Sequence, residues 1–246
     1  MAVPKQQTSS PIKSARLDGR RIVVTGANRG IGRAMAEAFV RSGASVIVHA
    51  REHASVLATQ IGAVAGVDGD LRDRELGSRL AAAVGTLGGL DLLVLNAAVL
   101  GPMGPLETVD LSAFAEVMDI NVDCQLAIFQ ALLPALLVKR EAGSPGVIWL
   151  SSALGRIGVP GYGAYCASKH AVEGLSKLAH AEYATRGLVS VTVAPGMVQT
   201  EMLKAALGAD DVSQHTHPSV VGAAFTRLAA VLGPEHSGSA LEIYNF

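Results

Sequence analysis

The sequence predicts a single α/β domain, a Rossmann-like doubly wound parallel sheet with helices on both faces. Three observations predict it. Short β-branched runs alternate with longer segments of helical periodicity along the whole chain. The runs are mostly continuously apolar, as strands are when both their faces are buried under helical crossovers. The first run passes through a glycine-rich turn straight into a helical pattern. A length of 246 residues, half of them hydrophobic and 17% charged, suits one large core and does not suit a solvated, disordered chain.

In chain order, residues 1–16 form a polar tail with Pro4 and Pro11, lacking the continuous apolar core of a signal peptide. The domain then occupies residues 17–246. Strands are expected at 21–25, 45–49, 90–96, 147–151 and 189–193, with a weaker one at 241–244. Helical spacing covers 31–41, 111–138, 164–185 and 218–232. Residues 200–218 are polar, with Gly208, Asp210 and Asp211, and are expected to form a mobile lid over a substrate. In such a sheet, ligands bind outside the carboxyl ends of the strands, so the residues after Val24, His49, Leu95, Leu150 and Ala194 are the ones to inspect.

Charge and composition exclude several functions. The net charge is -1 and the basic residues form no stripe, so neither nucleic acid nor an anionic membrane is an expected partner. The apolar stretches end well before the ~20 residues needed to cross a bilayer. Cys124 and Cys166 lack CxxC spacing, which argues against zinc and disulfides and for a reducing, cytoplasmic setting. His215 and His217 flank Thr216 without a third ligand, so no metal is predicted.

The turn reads Thr25-Gly26-Ala27-Asn28-Arg29-Gly30-Ile31-Gly32. Gly26 suits a tight turn, Gly30 lets backbone approach a pyrophosphate and Gly32 permits close packing, while the helix start supplies free N–H groups. A purely structural turn is the alternative, and the position at the first strand-to-helix junction favours dinucleotide binding. At the end of the second strand an NAD-reading protein would carry an acid for the ribose 2′-hydroxyl. This chain has Ala50 and then Arg51 there, with Arg29 in the turn as a second cation. A guanidinium grips a 2′-phosphate that a carboxylate would repel, so NADP(H) is the expected cofactor.

Tyr165 and Lys169 stand four apart at the start of a helical pattern and therefore share a face. An ammonium beside a phenol is expected to lower the tyrosine from its usual value of about 10 and make it a usable acid or base. Ser152 follows a strand and could hold a substrate oxygen, with Ser151 as the structural alternative. Cys166 reads as a small buried thiol. Met103, Leu154 and Trp149 could line a pocket or pack the core.

Taken in order, Thr25–Gly32, Asn96-Ala97-Ala98, Asn121-Val122, Ser152, Tyr165-Cys-Ala-Ser-Lys169 and Pro195-Gly196 resemble the short-chain dehydrogenase/reductase family from Leu17 onward. The resemblance implies that Tyr165 donates a proton as hydride arrives from nicotinamide C4, that Lys169 binds the nicotinamide ribose, and that Ser152 positions the carbonyl. It implies that Asn121 holds a water linking Lys169 to solvent. Gly26, Asn28, Arg29, Gly30, Ile31, Gly32 and Arg51 would meet the pyrophosphate and adenosine. Asp70 and Leu71 would meet the adenine, and Asn96 and Ala97 would line the adenosine ribose. Pro195 and Gly196 would pass beside the nicotinamide, with Val198 and Thr200 at its carboxamide.

There are two departures from the family pattern. Ala98 stands where a glycine is usual, and Tyr244-Asn245-Phe246 replaces a glycine-rich ending. The function expected is hydride transfer between NADP(H) and a small ketone, aldehyde or secondary alcohol, by a homodimer or homotetramer as the resemblance implies. A 3-oxoacyl thioester reductase of the same family and a catalytically silent NADP(H) sensor or scaffold are the rival readings.

Overall fold

The computed structural model describes residues 15–138, 143–208 and 212–246, so most of the tail and part of the lid segment, including Asp210 and Asp211, lie outside the described residues. In chain order the elements are β1 (Arg21–Val24), α1 (Gly30–Arg41), β2 (Ser45–Ala50), α2 (Ala54–Ile61), β3 (Ala65–Asp68), α3 (Leu76–Gly85), β4 (Leu92–Leu95), α4 (Leu111–Met118) and α5 (Cys124–Leu136). They continue as β5 (Gly146–Leu150), α6 (Gly163–Tyr183), β6 (Val189–Ala194), α7 (Glu201–Leu207), α8 (Pro218–Val231) and β7 (Ala240–Glu242). All strand pairings are parallel, in the order β3-β2-β1-β4-β5-β6-β7. The order reverses between β1 and β4, the place where such sheets open a ligand crevice.

Each central strand is buried on both faces because alternate side chains enter separate cores. Ile22 and Val24 point into a layer with Met35, Phe39, Phe225 and Leu228 from α1 and α8. Val23 points the other way, toward Leu80, Phe129, Leu132 and Val172 from α3, α5 and α6. Trp149 belongs to this second core: its ring lies 5.3 Å from that of Phe129, and its indole N–H donates to Ser190 Oγ at 3.2 Å. That settles Trp149 as packing and not as pocket lining. At the amino ends of β1 and β4, the Asp91 carboxylate receives Arg21 Nε at 2.9 Å, Nη2 at 3.1 Å and the Arg21 backbone N–H at 2.8 Å. This charge-assisted fork fixes the register of two strands 70 residues apart.

The structure adds α2, β3, α3 and α7 to the expected elements. In β3, Gly66 has no room for a side chain, since a Cβ there would fall 2.2 Å from the carbonyl of Ala54 in α2. The close approach of helix to strand takes the place of the β-branched signature. The expected helix 111–138 is interrupted by a π turn, Asp119–Asp123, between α4 and α5. Such turns often sit at functional sites, and this one carries Asn121. The segment 200–218 carries regular structure in its described part. It contains α7, and the side-chain amide of Gln199 ties it down by donating to Ser213 O and His215 O at 2.8 and 2.6 Å. No helix among the described residues is long and apolar enough to cross a membrane.

Candidate active site

The glycine turn is built by contacts that exclude side chains. Gly26 and Gly30 have φ of +66° and +56°, a region costly for other residues. A Cβ on Gly26 would lie 2.8 Å from Ala97 Cα, and one on Gly32 would lie 2.3 Å from Gly26 O and 2.5 Å from Asn96 Nδ2. Asn96 Nδ2 donates to the carbonyls of Thr25 and Gly26 at 2.8 and 3.1 Å, stitching the end of β4 to the turn. Thr25 is the hub of this seam. Its hydroxyl donates to Val94 O at 3.3 Å and accepts the N–H groups of Asn96 and Ala97 at 2.9 and 3.2 Å.

The sequence reading assigned Thr25 no role, although it is the first residue of the quoted motif. It also missed His49, whose buried ring lies 3.0 Å from Gly69 O through Nε2 and accepts the Gly26 N–H at 3.4 Å through Nδ1. Burial pushes the pKa of this imidazole down and keeps it neutral.

Helix α1 starts from this turn with no side-chain cap at Arg29 and no acid in its first turn, so its amino end is open to an anion. Asn28 and Arg29 are exposed, while Ile31 packs on the first core. Ala50 is buried and Arg51 is exposed at the end of β2. Asp70 lies nearby, but Arg72 holds its carboxylate through its backbone N–H and Nε at 2.9 and 3.0 Å and lowers its pKa. Leu71 packs partly against the second core.

Across the groove runs the strip that follows β6. Pro195 is buried, Gly196 has φ of +74°, and the Val198 side chain sits in the first core, which leaves only its backbone for a ligand. Thr200 caps α7 by accepting the Leu203 N–H at 3.1 Å. Its methyl lies 3.2 Å from where a Cβ of Gly30 would be, so the strip closes onto the glycine turn.

Ser152, Tyr165 and Lys169 meet at the carboxyl end of β5. The Tyr165 hydroxyl lies beside Ser152, and Lys169 Nζ lies 5.5 Å from the Tyr165 ring centroid while donating to Leu150 O at 2.7 Å. Ser152 also starts the short turn Ala153–Gly155 by accepting the Leu154 N–H. Ser151 points the other way and donates to Glu173 Oε1 at 2.7 Å, which makes it the structural serine. Glu173 is a further unanticipated residue, buried and also held by Thr192 Oγ1 at 2.7 Å and Arg156 Nε at 3.1 Å.

One expectation is corrected here. Tyr165 is not brought down by the ammonium. Burial pushes it from its ordinary 10 up to about 12, against the downward pull of the Ser152 hydrogen bond. Lys169 is itself pushed down to about 8 by burial, with Glu173 opposing. The Asn121 side chain is engaged within the protein. It accepts the Val99 N–H at 2.8 Å and donates to Val99 O and Ser168 Oγ at 2.9 and 3.0 Å, pinning the loop after β4.

The lowered Lys169 carries a stability prediction. Between pH 8 and 10.5 the unfolded chain keeps a proton on this amine that the folded chain has lost, so folding becomes more favourable as pH rises through that window. Chemical denaturation of the protein without ligands should therefore show the wild type gaining on Lys169→Met between pH 8 and 10.5. A gap constant across that range would contradict a depressed amine.

Residues 20–210, which carry the glycine turn, Asn96, Ser152, Tyr165 and Lys169, match the short chain dehydrogenases. The chain belongs to the short chain dehydrogenase family. That family is one of oxidoreductases and includes dehydrogenases acting on alcohols. The chain is similar to the 2,5-dichloro-2,5-cyclohexadiene-1,4-diol dehydrogenase of Sphingobium indicum, at 35% identity over 198 residues, which cover 79% of this chain and 78% of that protein. Cyclohexanol dehydrogenase of Acinetobacter sp. is 29% identical over 211 residues, 83% of each chain. Among solved structures, a short chain dehydrogenase of Shigella flexneri complexed with NADP superposes with a TM-score of 0.82 at 30% identity, covering 94% of this chain and all of that one.

Proposed function

We propose that this short chain dehydrogenase is an NADP(H)-dependent oxidoreductase interconverting a small ketone or aldehyde and its alcohol. The observation that carries the reading is the meeting of Ser152, at the end of β5, with Tyr165 and the buried Lys169, whose Nζ lies 5.5 Å from the Tyr165 ring centroid. A nicotinamide cofactor supplies the hydride. Tyr165 donates its proton to the carbonyl oxygen and Ser152 hydrogen-bonds the same oxygen, so the developing alkoxide meets two fixed donors. A phenol held at about 12 stays protonated at neutral pH, which suits the direction of carbonyl reduction. Lys169 binds the nicotinamide ribose and carries a proton on the path that refills Tyr165, with the π turn at Asn121 as the next station. A contact of this kind between intact donors supports catalysis over a silent sensor.

The glycine cradle and the uncapped start of α1 suit a pyrophosphate, and the Ala50-Arg51 pair with Arg29 suits a 2′-phosphate. The Shigella flexneri relative bound to NADP supports the same choice. NADPH is expected to bind about ten- to a hundredfold tighter than NADH, the strength of one or two hydrogen bonds to a charged group. Arg51→Asp should remove that preference. Superimposable fluorescence titrations of the wild type with NADPH and NADH would refute the cofactor assignment, and a panel of ketones and aldehydes followed by loss of NADPH absorbance tests the reaction.

A further inference from the structure

The segment after β7 departs from the pattern of the family, and its geometry gives it a task. Ile243 is fully buried in the first core and anchors the turn Ile243–Asn245. The anchored turn lays Tyr244 against the strip that follows β6. Gly196 has φ of +74°, and a Cβ there would lie 2.3 Å from Tyr244 Cε2, 2.5 Å from its hydroxyl oxygen and 2.8 Å from Cζ. The ring therefore fills the space of the missing side chain. The Tyr244 hydroxyl lies 3.2 Å from Thr216 Oγ1. Thr216 is in turn bridged to the strip: its N–H donates to Met197 O at 3.3 Å, and its carbonyl accepts the Gln199 N–H at 3.0 Å.

Tyr244 thus holds the strip from outside while Thr200 touches the glycine turn from inside. Core formation does not account for this placement, since Tyr244 remains 56% exposed. We propose that Tyr244 is a positioning residue that sets how tightly the nicotinamide half of the cofactor is held, by pinning Gly196–Thr200 between its ring and its hydrogen bond to Thr216. The inference rests on the NADP(H) reading above.

The test uses NADPH and adenosine 2′,5′-bisphosphate, which lacks the nicotinamide half, as probes of the full chain. Tyr244→Phe keeps the ring on Gly196 and removes the hydrogen bond; Thr216→Val removes the same bond from the other side. Each should speed NADPH release about three- to tenfold, the worth of one neutral hydrogen bond. The double variant should add nothing to either single change, Thr216→Ser should restore slow release, and affinity for the bisphosphate should stay as in the wild type. Unchanged NADPH release in both single variants, additive effects, or equal weakening of both probes would overturn the proposal. A wild type that binds the bisphosphate but not NADPH would also overturn it, whereas one that binds neither would sink the cofactor reading on which it rests.

Discussion

Tyr165→Phe is expected to cut turnover by about a hundred- to ten-thousandfold, the range of one well-placed acid, while NADPH binds as before. The substitution deletes one oxygen, which removes the proton donor and the partner of Ser152. The ring stays in place, and the proposed cofactor groove is built by other residues, namely the glycine turn, Asn96 and the strip after β6. Reduction rates from NADPH absorbance, set beside a fluorescence titration of the same preparation, separate the two effects. Turnover near wild type would remove Tyr165 from the chemistry, and a joint loss of binding would make its role structural.

Gly32→Ala is expected to weaken NADPH about ten- to a hundredfold and to destabilise the fold by about 1–3 kcal/mol, the usual cost of overpacking. The added methyl would sit 2.3 Å from Gly26 O and 2.5 Å from Asn96 Nδ2. Neither atom is the loose end of a flexible chain: one is turn backbone, and the other is held by the Thr25 and Gly26 carbonyls. Relief of the clash must open the seam between β1 and β4 beside the groove. Gly174→Ala is the matched control. It lies within α6, a Cβ there meets nothing within 4 Å, and loss of a helical glycine should leave stability the same or slightly raised. Melting curves and NADPH titrations of both variants check the pair, and a Gly32→Ala protein as stable and as tight as the control would refute the cradle.

What could be read from sequence follows the distance over which the physics acts. β1, β2, β4, β5 and β6 announce themselves because burial on both faces favours apolar residues at most positions. β3 is half-exposed at the sheet edge and carries Gly66 where α2 lies against it, so its composition says little. Helix α3 does carry a signal, Leu76, Leu80 and Val84 at a spacing of four, which was not counted as a helix. Tyr165 and Lys169 were readable because four residues on one helix fix their neighbourhood. Thr25 as a hub, His49 as the link from Gly26 to Gly69, and Glu173 as the partner of Ser151, Thr192 and Arg156 were not, since each contact joins remote parts of the chain. The raised phenol of Tyr165 was misjudged for a related reason: desolvation is the summed effect of many neighbours, and spacing reports only one of them.

The seam between Thr25 and Asn96 bears on how the protein is born. Its halves are 71 residues apart, and Thr200 closes the turn over Gly30. A nascent chain emerging from the ribosome therefore displays its glycine loop before Asn96 and Thr200 exist to close it, so dinucleotide meets an unfinished cradle in the early steps of folding. Ligand in the cell can act only on the nearly finished molecule, as a brake on its unravelling.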